Sequence, residues 1–126
     1  VGADKSRIAF ATFSGAIGDS AVLHIPLSSG KSGSMLDAAI DAVRPRGGGT
    51  FTDDGFDLVL THILAEGRPV VPTVVIVITS GAHSEGHDPV NVAEVLQESA
   101  TVIGIGATTV DDSAYVGDIS SVGLGF

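Results

Sequence analysis

The chain has no cysteine and no tryptophan, and only six Lys+Arg against 15 Asp+Glu. Without cysteine there is no disulfide framework. That leaves the redox compartment open, because secreted domains need disulfides mainly when they are small. The scarcity of basic residues, with a formal net charge of −9, argues against nucleic acid and anionic membranes as partners, since their phosphates call for basic patches. It is compatible with cations or basic partners. No apolar run approaches the roughly 20 residues of a membrane span. Asn91 is the only asparagine and lies outside any glycosylation sequon. No signal peptide is visible, and a start at Val1 instead of Met points to processing or trimming.

What is present suits a single folded domain over residues 1–126. Hydrophobic residues make up 44% of the 126 positions, enough for a core and too many for a disordered chain. The most telling stretch is Thr73–Ser84, TVVIVITSGAHS. An uninterrupted, mostly β-branched run suits a strand covered on both faces in a parallel sheet. Its Ser-Gly end sets polar groups at the strand's carboxyl end, where open α/β sheets form their crevices.

Strands are expected at Ile8–Phe13 and Ala21–Leu27, joined by the Gly15–Ser20 turn as a hairpin, with Pro26 suiting an edge. Met35, Leu36, Ala39, Ile40 and Val43 mark a helical face that Pro45 and Gly47–Gly49 end. Thr52 or Asp53 can cap a second helix with the stripe Phe56, Val59, Leu60, Ile63 and Leu64. Asp88-Pro89 opens a third, carrying Val92, Val95 and Leu96. Thr101–Gly106 is the next buried strand, and about one helical turn lies around Tyr115–Ser120. Strands alternating with helices imply an α/β fold with a mostly parallel sheet.

Several segments carry possible chemistry. Gly47-Gly48-Gly49-Thr50-Phe51-Thr52-Asp53-Asp54-Gly55 precedes a helix. Its hydroxyls and carboxylates are hard oxygen donors suited to Mg²⁺ or Ca²⁺; the plainer reading is a glycine stop followed by a Thr/Asp cap. Gly30-Lys31-Ser32 imitates the end of a phosphate-binding loop, but Ile25 stands where the first glycine belongs, so a solvated loop is expected. Ser84 in Ala82–Gly86 resembles a nucleophile elbow displaced several residues from its strand, which makes a serine hydrolase a remote alternative, with His24, His62 or His87 as base. His83 and His87 have no evident third zinc ligand.

Taken in series, these segments resemble a von Willebrand factor type A domain (integrin I-like), nearest to its matrix, collagen-associated members. Val1–Ala9 looks like the approach to the family's second strand and Phe13-Ser14 like its end. Leu36–Arg46 with the Gly-Gly-Gly-Thr after it looks like the helix and loop that deliver the metal-site threonine. Gly67-Arg68-Pro69, Pro72 and Val74–Gly81 look like the approach to the metal-site aspartate, and Ile103–Gly106 like the next strand. The resemblance spans roughly residues 1–120. It implies a Rossmann-like sheet with one antiparallel edge strand, helices on both faces and an extracellular, secreted, non-enzymatic adhesion module for collagen-like or other matrix proteins. It also implies a divalent cation (Mg²⁺, Mn²⁺ or Ca²⁺) held at a metal-ion-dependent adhesion site. Thr50, five residues before Gly55, matches the coordinating threonine. Thr52, Asp53 and Ser84 are candidates for ligand or water contacts.

Two departures stand out. Ser80 occupies the position of the family's aspartate, so a neutral hydroxyl replaces a carboxylate and cation attraction falls. The family's first strand, with its Asp-x-Ser-x-Ser triplet, is absent; Asp118-Ile119-Ser120 is a partial echo that reads better as part of a terminal helix. That strand would lie between Ile8–Phe13 and Thr73–Thr79, so the domain is expected to be incomplete at its N-terminus. An N-terminal piece or a second chain would fill the gap, unless the flanking strands close on each other. A scaffolding domain without a metal site is the alternative function.

Overall fold

The structure, a computed structural model, describes residues 5–29, 32–107 and 113–121. The elements run β1 (Phe10–Phe13), β2 (Ala21–Ile25), a 3₁₀ turn (Leu27–Ser29), α1 (Gly33–Asp41), α2 (Thr52–Glu66), β3 (Val74–Thr79), α3 (Pro89–Gln97), β4 (Thr101–Gly106) and α4 (Ser113–Asp118). Gly30 and Lys31 of the imitation phosphate loop lie outside the described residues.

β1 and β2 form the expected antiparallel hairpin, with Phe13 opposite Ala21 and the Ser14 amide donating to the Ser20 carbonyl at 2.8 Å. The ladder ends at Phe10, opposite Ile25, beyond a register irregularity between Phe10 and Ala11, so Ile8 and Ala9, expected in the strand, precede it. β2 stops at Ile25 because Pro26 has no amide to donate. β3 and β4 are parallel and in continuous register from Val74–Thr101 to Thr79–Gly106.

The described strands do not form one sheet. β1 pairs only with β2, and β3 only with β4. β1 and β3, the strands expected to flank the absent one, do not pair with each other. A cleft of about 870 Å³ separates them, with Val59 and Ile63 of α2 also lining it.

The core lies on one side of the β3–β4 pair, where Val77 and Val102 meet Phe56 of α2, Ala93 and Leu96 of α3, and Ile119 just after α4. Phe13 of β1 and Val75 pack against this cluster, so α2 spans both strand pairs. Gly55 allows that approach: a Cβ there would sit 3.0 Å from the Phe13 ring. The opposite face of β3 is bare among the described residues, with Val74, Ile76 and Ile78 exposed by 55%, 60% and 64%.

Helix ends and stripes follow the partners available. Asp88 caps α3, accepting from the Val90 amide at 3.0 Å with Pro89 in the first turn. The buried α3 positions are Pro89, Ala93 and Leu96, whereas Val95 is exposed. Phe51, not Thr52 or Asp53, is the residue before α2, and no side chain caps it. α1 buries Leu36 alone and leaves Met35 and Ile40 exposed, because the neighbour it chiefly packs on is the short strand β2. Leu64 likewise lies outside the buried stripe of α2.

Candidate metal and ligand site

The Gly47–Thr50 loop is tied to both halves of the molecule. On one side, the Gly49 amide donates to the Gly15 carbonyl at 3.1 Å and the Arg46 guanidinium to the Ser14 carbonyl at 2.7 Å. Arg46 also pairs with Asp19 at 3.5 Å. Gly48 has φ +83°, and a Cβ there would lie 2.1 Å from the Gly15 oxygen, so this crossing needs glycine. On the other side, the Thr50 amide donates to the Ser84 hydroxyl at 2.9 Å, and the Ser84 amide donates back to the Thr50 carbonyl at 3.2 Å. The loop that carries Thr50 is thereby fixed against the segment that follows β3.

Thr50, Ser80 and Ser14 all line the cleft between the strand pairs. Ser80 is exposed, immediately after β3. Thr52 and Asp53 are placed differently. Thr52 is fully buried, and Asp53 is 3% exposed. Asp53 accepts from the His87 amide at 2.6 Å through Oδ2, with the His87 ring nitrogen 3.4 Å away. Gly86, at φ +90°, leaves room for that carboxylate: a Cβ there would be 2.3 Å from Oδ1. Asp53 therefore ties the loop before α3 to the start of α2. Asp54 accepts a hydrogen bond from the buried Ser20 hydroxyl, which links α2 to the hairpin.

Among the described residues, Thr52 Oγ1, Asp53 Oδ1, His83 Nδ1 and the Tyr115 hydroxyl are buried without a hydrogen-bond partner. The His83 and Tyr115 rings lie 5.9 Å apart. Burial pushes the Tyr115 hydroxyl above its usual range. At the far end of α2, the Leu27 amide donates to His62 Nε2 at 2.8 Å. The Ser28 amide donates to Glu66 at 2.9 Å. Bonds from Ser28, the hydroxyl's first and then the amide's, hold the Glu66 carboxyl below its ordinary range.

Of the five residues singled out from sequence, Thr50 and Ser80 share the cleft, Ser84 braces Thr50, and Thr52 and Asp53 lie buried at the start of α2. The bracing roles of Arg46 and Asp54 and the partly buried Tyr115 carried no local sequence signal, because each depends on a residue far along the chain. No histidine among the described residues hydrogen-bonds Ser84; His24 instead pairs with Thr12 at 2.8 Å. No group of three metal-ligating His, Cys, Asp or Glu forms among the described residues, so His83 and His87 gain no third zinc ligand there. Of the partial echo only Asp118 belongs to α4; Ser120 lies past its end and donates back to the Val116 carbonyl at 2.5 Å.

An α/β layering with a threonine-bearing glycine loop near the carboxyl end of β3, a strand of the parallel pair, is the layout of a von Willebrand factor type A fold. The chain belongs to that family: residues 1–124 match the von Willebrand factor type A domain. It is 30% identical over 94 residues to the human collagen alpha-1(XXI) chain, a match covering 74% of this chain and 10% of the collagen. Proximal thread matrix protein 1 from the mussel byssus has a similar structure. In the form with a zinc-occupied MIDAS motif the TM-score is 0.83 at 26% identity, covering 98% of this chain and 32% of the mussel chain. A second crystal form gives 0.79 at 27% identity, covering 94% and 31%. The chain thus spans about a tenth of the collagen relative and about a third of the mussel protein.

Proposed function

We propose that this chain is an extracellular matrix adhesion module that binds a protein ligand, collagen-like or of another matrix class, at the end of the cleft where Thr50 lies. The observation that carries this reading is the paired hydrogen bonding of Thr50 with Ser84, which fixes the loop presenting Thr50 beside the cleft that Ser80 also lines. Both relatives are matrix proteins, which supports a secreted module with protein partners. No helix of the described residues is long and apolar enough to cross a membrane.

The donor set fits a weakly held hard cation. Thr50, Ser80 and Ser14 offer neutral oxygens of the kind Mg²⁺, Mn²⁺ or Ca²⁺ accept. The nearby Asp53 carboxylate is engaged by His87, so negative charge has to come from the ligand. Thr50 and Ser80 would hold the ion, which would supply a Lewis-acidic point for a ligand carboxylate. Ser84 positions Thr50, and Thr52 and Asp53 support the loop from below. The module has no catalytic role in this reading.

A metal-independent scaffold of the same fold is the second reading, favoured by the neutral Ser80. Titration with Mg²⁺ or Mn²⁺ followed by melting temperature separates the two. Binding at a hundredfold excess over Kd stabilises by about 2.7 kcal/mol. A melting temperature indifferent to both metal and chelator would leave the scaffold as the reading.

A further inference from the structure

We propose that Glu85 is an outer carboxylate of the cation site, accepting hydrogen bonds from water on an ion held by Thr50 and Ser80; this rests on the cation reading above. Thr50 and Ser80 bring no charge to the site, and the Asp53 carboxylate is engaged by His87. Glu85 is the acidic residue that the Thr50–Ser84 brace carries to the loop. It follows Ser84, whose hydroxyl and amide both bond Thr50. Its side chain lies over the glycine loop: a Cβ on Gly49 would sit 2.3 Å from Glu85 Cγ and 3.0 Å from Glu85 Cβ. Gly49 thus leaves the space that Glu85 fills. Thr50 is the next residue, about 3.8 Å on between Cα atoms.

No basic group claims this carboxylate. The ion pairs among the described residues join Arg46 to Asp19, His62 to Glu66 and His87 to Asp53, and Glu85 is in none of them. Arg46, the cation nearest the loop in sequence, is engaged on the loop's other side, where it holds the Ser14 carbonyl and Asp19. Glu85 is exposed, so its carboxylate can turn toward Thr50 without leaving water.

The contact runs through water and not directly. Glu85 is not among the residues lining the cleft where Thr50 and Ser80 lie, so it approaches from the rim. Mg²⁺ dehydrates reluctantly and usually keeps several of its waters. Groups that act on a metal from outside its ligand shell commonly change affinity about 10–100-fold when removed. The charge inside the coordination shell still comes from the protein ligand. Glu85 attracts and retains the cation from outside that shell.

The test is a Mn²⁺ titration of the chain by electron paramagnetic resonance at about 0.15 M salt. Water-proton relaxation counts the waters on the ion, and melting in EDTA monitors the fold. Glu85→Gln should weaken Mn²⁺ binding about tenfold, with the bound-water count and the melting temperature in EDTA both unchanged. Glu98→Gln removes the same charge at the far end of α3, about 14 Å along the helix from Pro89. It should change affinity less than about twofold, because such salt screens charges beyond about 8 Å. Equal affinity of parent and Glu85→Gln, with binding still lost in Thr50→Ala, would overturn the role of Glu85 and keep the cation reading. An equal loss in Glu98→Gln would overturn it as an effect of net charge. A lower melting temperature of Glu85→Gln in EDTA would overturn it as an effect on the fold, and a gain of one bound water would make Glu85 a direct ligand instead. A parent chain that binds no Mn²⁺ would overturn both readings.

Discussion

Thr50 and Ser84 hold each other through two opposed hydrogen bonds: the Thr50 amide to the Ser84 hydroxyl at 2.9 Å and the Ser84 amide to the Thr50 carbonyl at 3.2 Å. The residues lie 34 positions apart, so this pair joins the glycine loop to the segment after β3. Ser84→Ala removes one bond and leaves the Thr50 amide to water. A loss of about 1 kcal/mol is expected, read as a lower denaturant midpoint. Cation and ligand affinity should fall with it, and in the adhesion reading any esterase signal should be unchanged, since there Ser84 only braces Thr50.

Ser80→Asp puts a carboxylate in the cleft that Thr50 also lines. Charge-assisted coordination is roughly twice as strong as neutral contact, so Mg²⁺ affinity should rise at least about tenfold, equivalent to about 1.4 kcal/mol. Calorimetric titration of both proteins measures it. An unchanged affinity would remove Ser80 from the cation site.

Asp53→Ala deletes a buried carboxylate that anchors the His87 amide. Leaving that donor unpaired costs about 1–3 kcal/mol, and amide exchange at His87 should accelerate. Asp53→Asn keeps the size and an accepting oxygen, so it should cost less. The two variants compared by chemical denaturation separate loss of the anchor from loss of charge.

Gly48→Ala and Gly18→Ala test the loop crossing. Both positions have positive φ, +83° and +87°, but a Cβ on Gly48 meets the Gly15 oxygen at 2.1 Å whereas Gly18 faces open space. Gly18→Ala should cost only the backbone penalty of about 1–2 kcal/mol. Gly48→Ala should cost clearly more, and it should also reduce cation binding by displacing Thr50.

Glu66 gives a pH dependence of defined sign. Its carboxyl is held below the ordinary value of 4.5 by Ser28, so its contribution is present above that value and is lost as pH falls through the lower folded value. Glu66→Gln should therefore be slightly less stable than the parent near neutrality, and the difference should close under acid. Melting curves at neutral and acidic pH measure this.

Residues whose partners lie nearby in sequence were the legible ones. β3 was expected at Thr73–Thr79 and is found at Val74–Thr79, because an unbroken β-branched run leaves little alternative. Asp88-Pro89 likewise marks the start of α3 correctly, since a cap acts within two residues. The start of α2 was less legible: Thr52 and Asp53 look like caps, yet the Asp53 carboxylate reaches His87, 34 positions away. Helix faces were legible only where a partner covers them, so Leu96 is buried while Met35, Ile40 and Leu64 are exposed. That β1 and β3 do not pair was one of the two arrangements expected, the other being closure of these strands on each other. The tie between Gly15 and Gly48, which sets the loop over the cleft, was not, because glycine spacing does not reveal which backbone it approaches.

The most direct test of the adhesion reading is binding to immobilised triple-helical collagen in Mg²⁺ and in EDTA, for the parent chain and for Thr50→Ala. Saturable binding in Mg²⁺ that is lost both in EDTA and in Thr50→Ala is the predicted result. Binding that ignores both the chelator and the substitution, or no binding to collagen under either condition, would contradict a cation-dependent collagen site at Thr50.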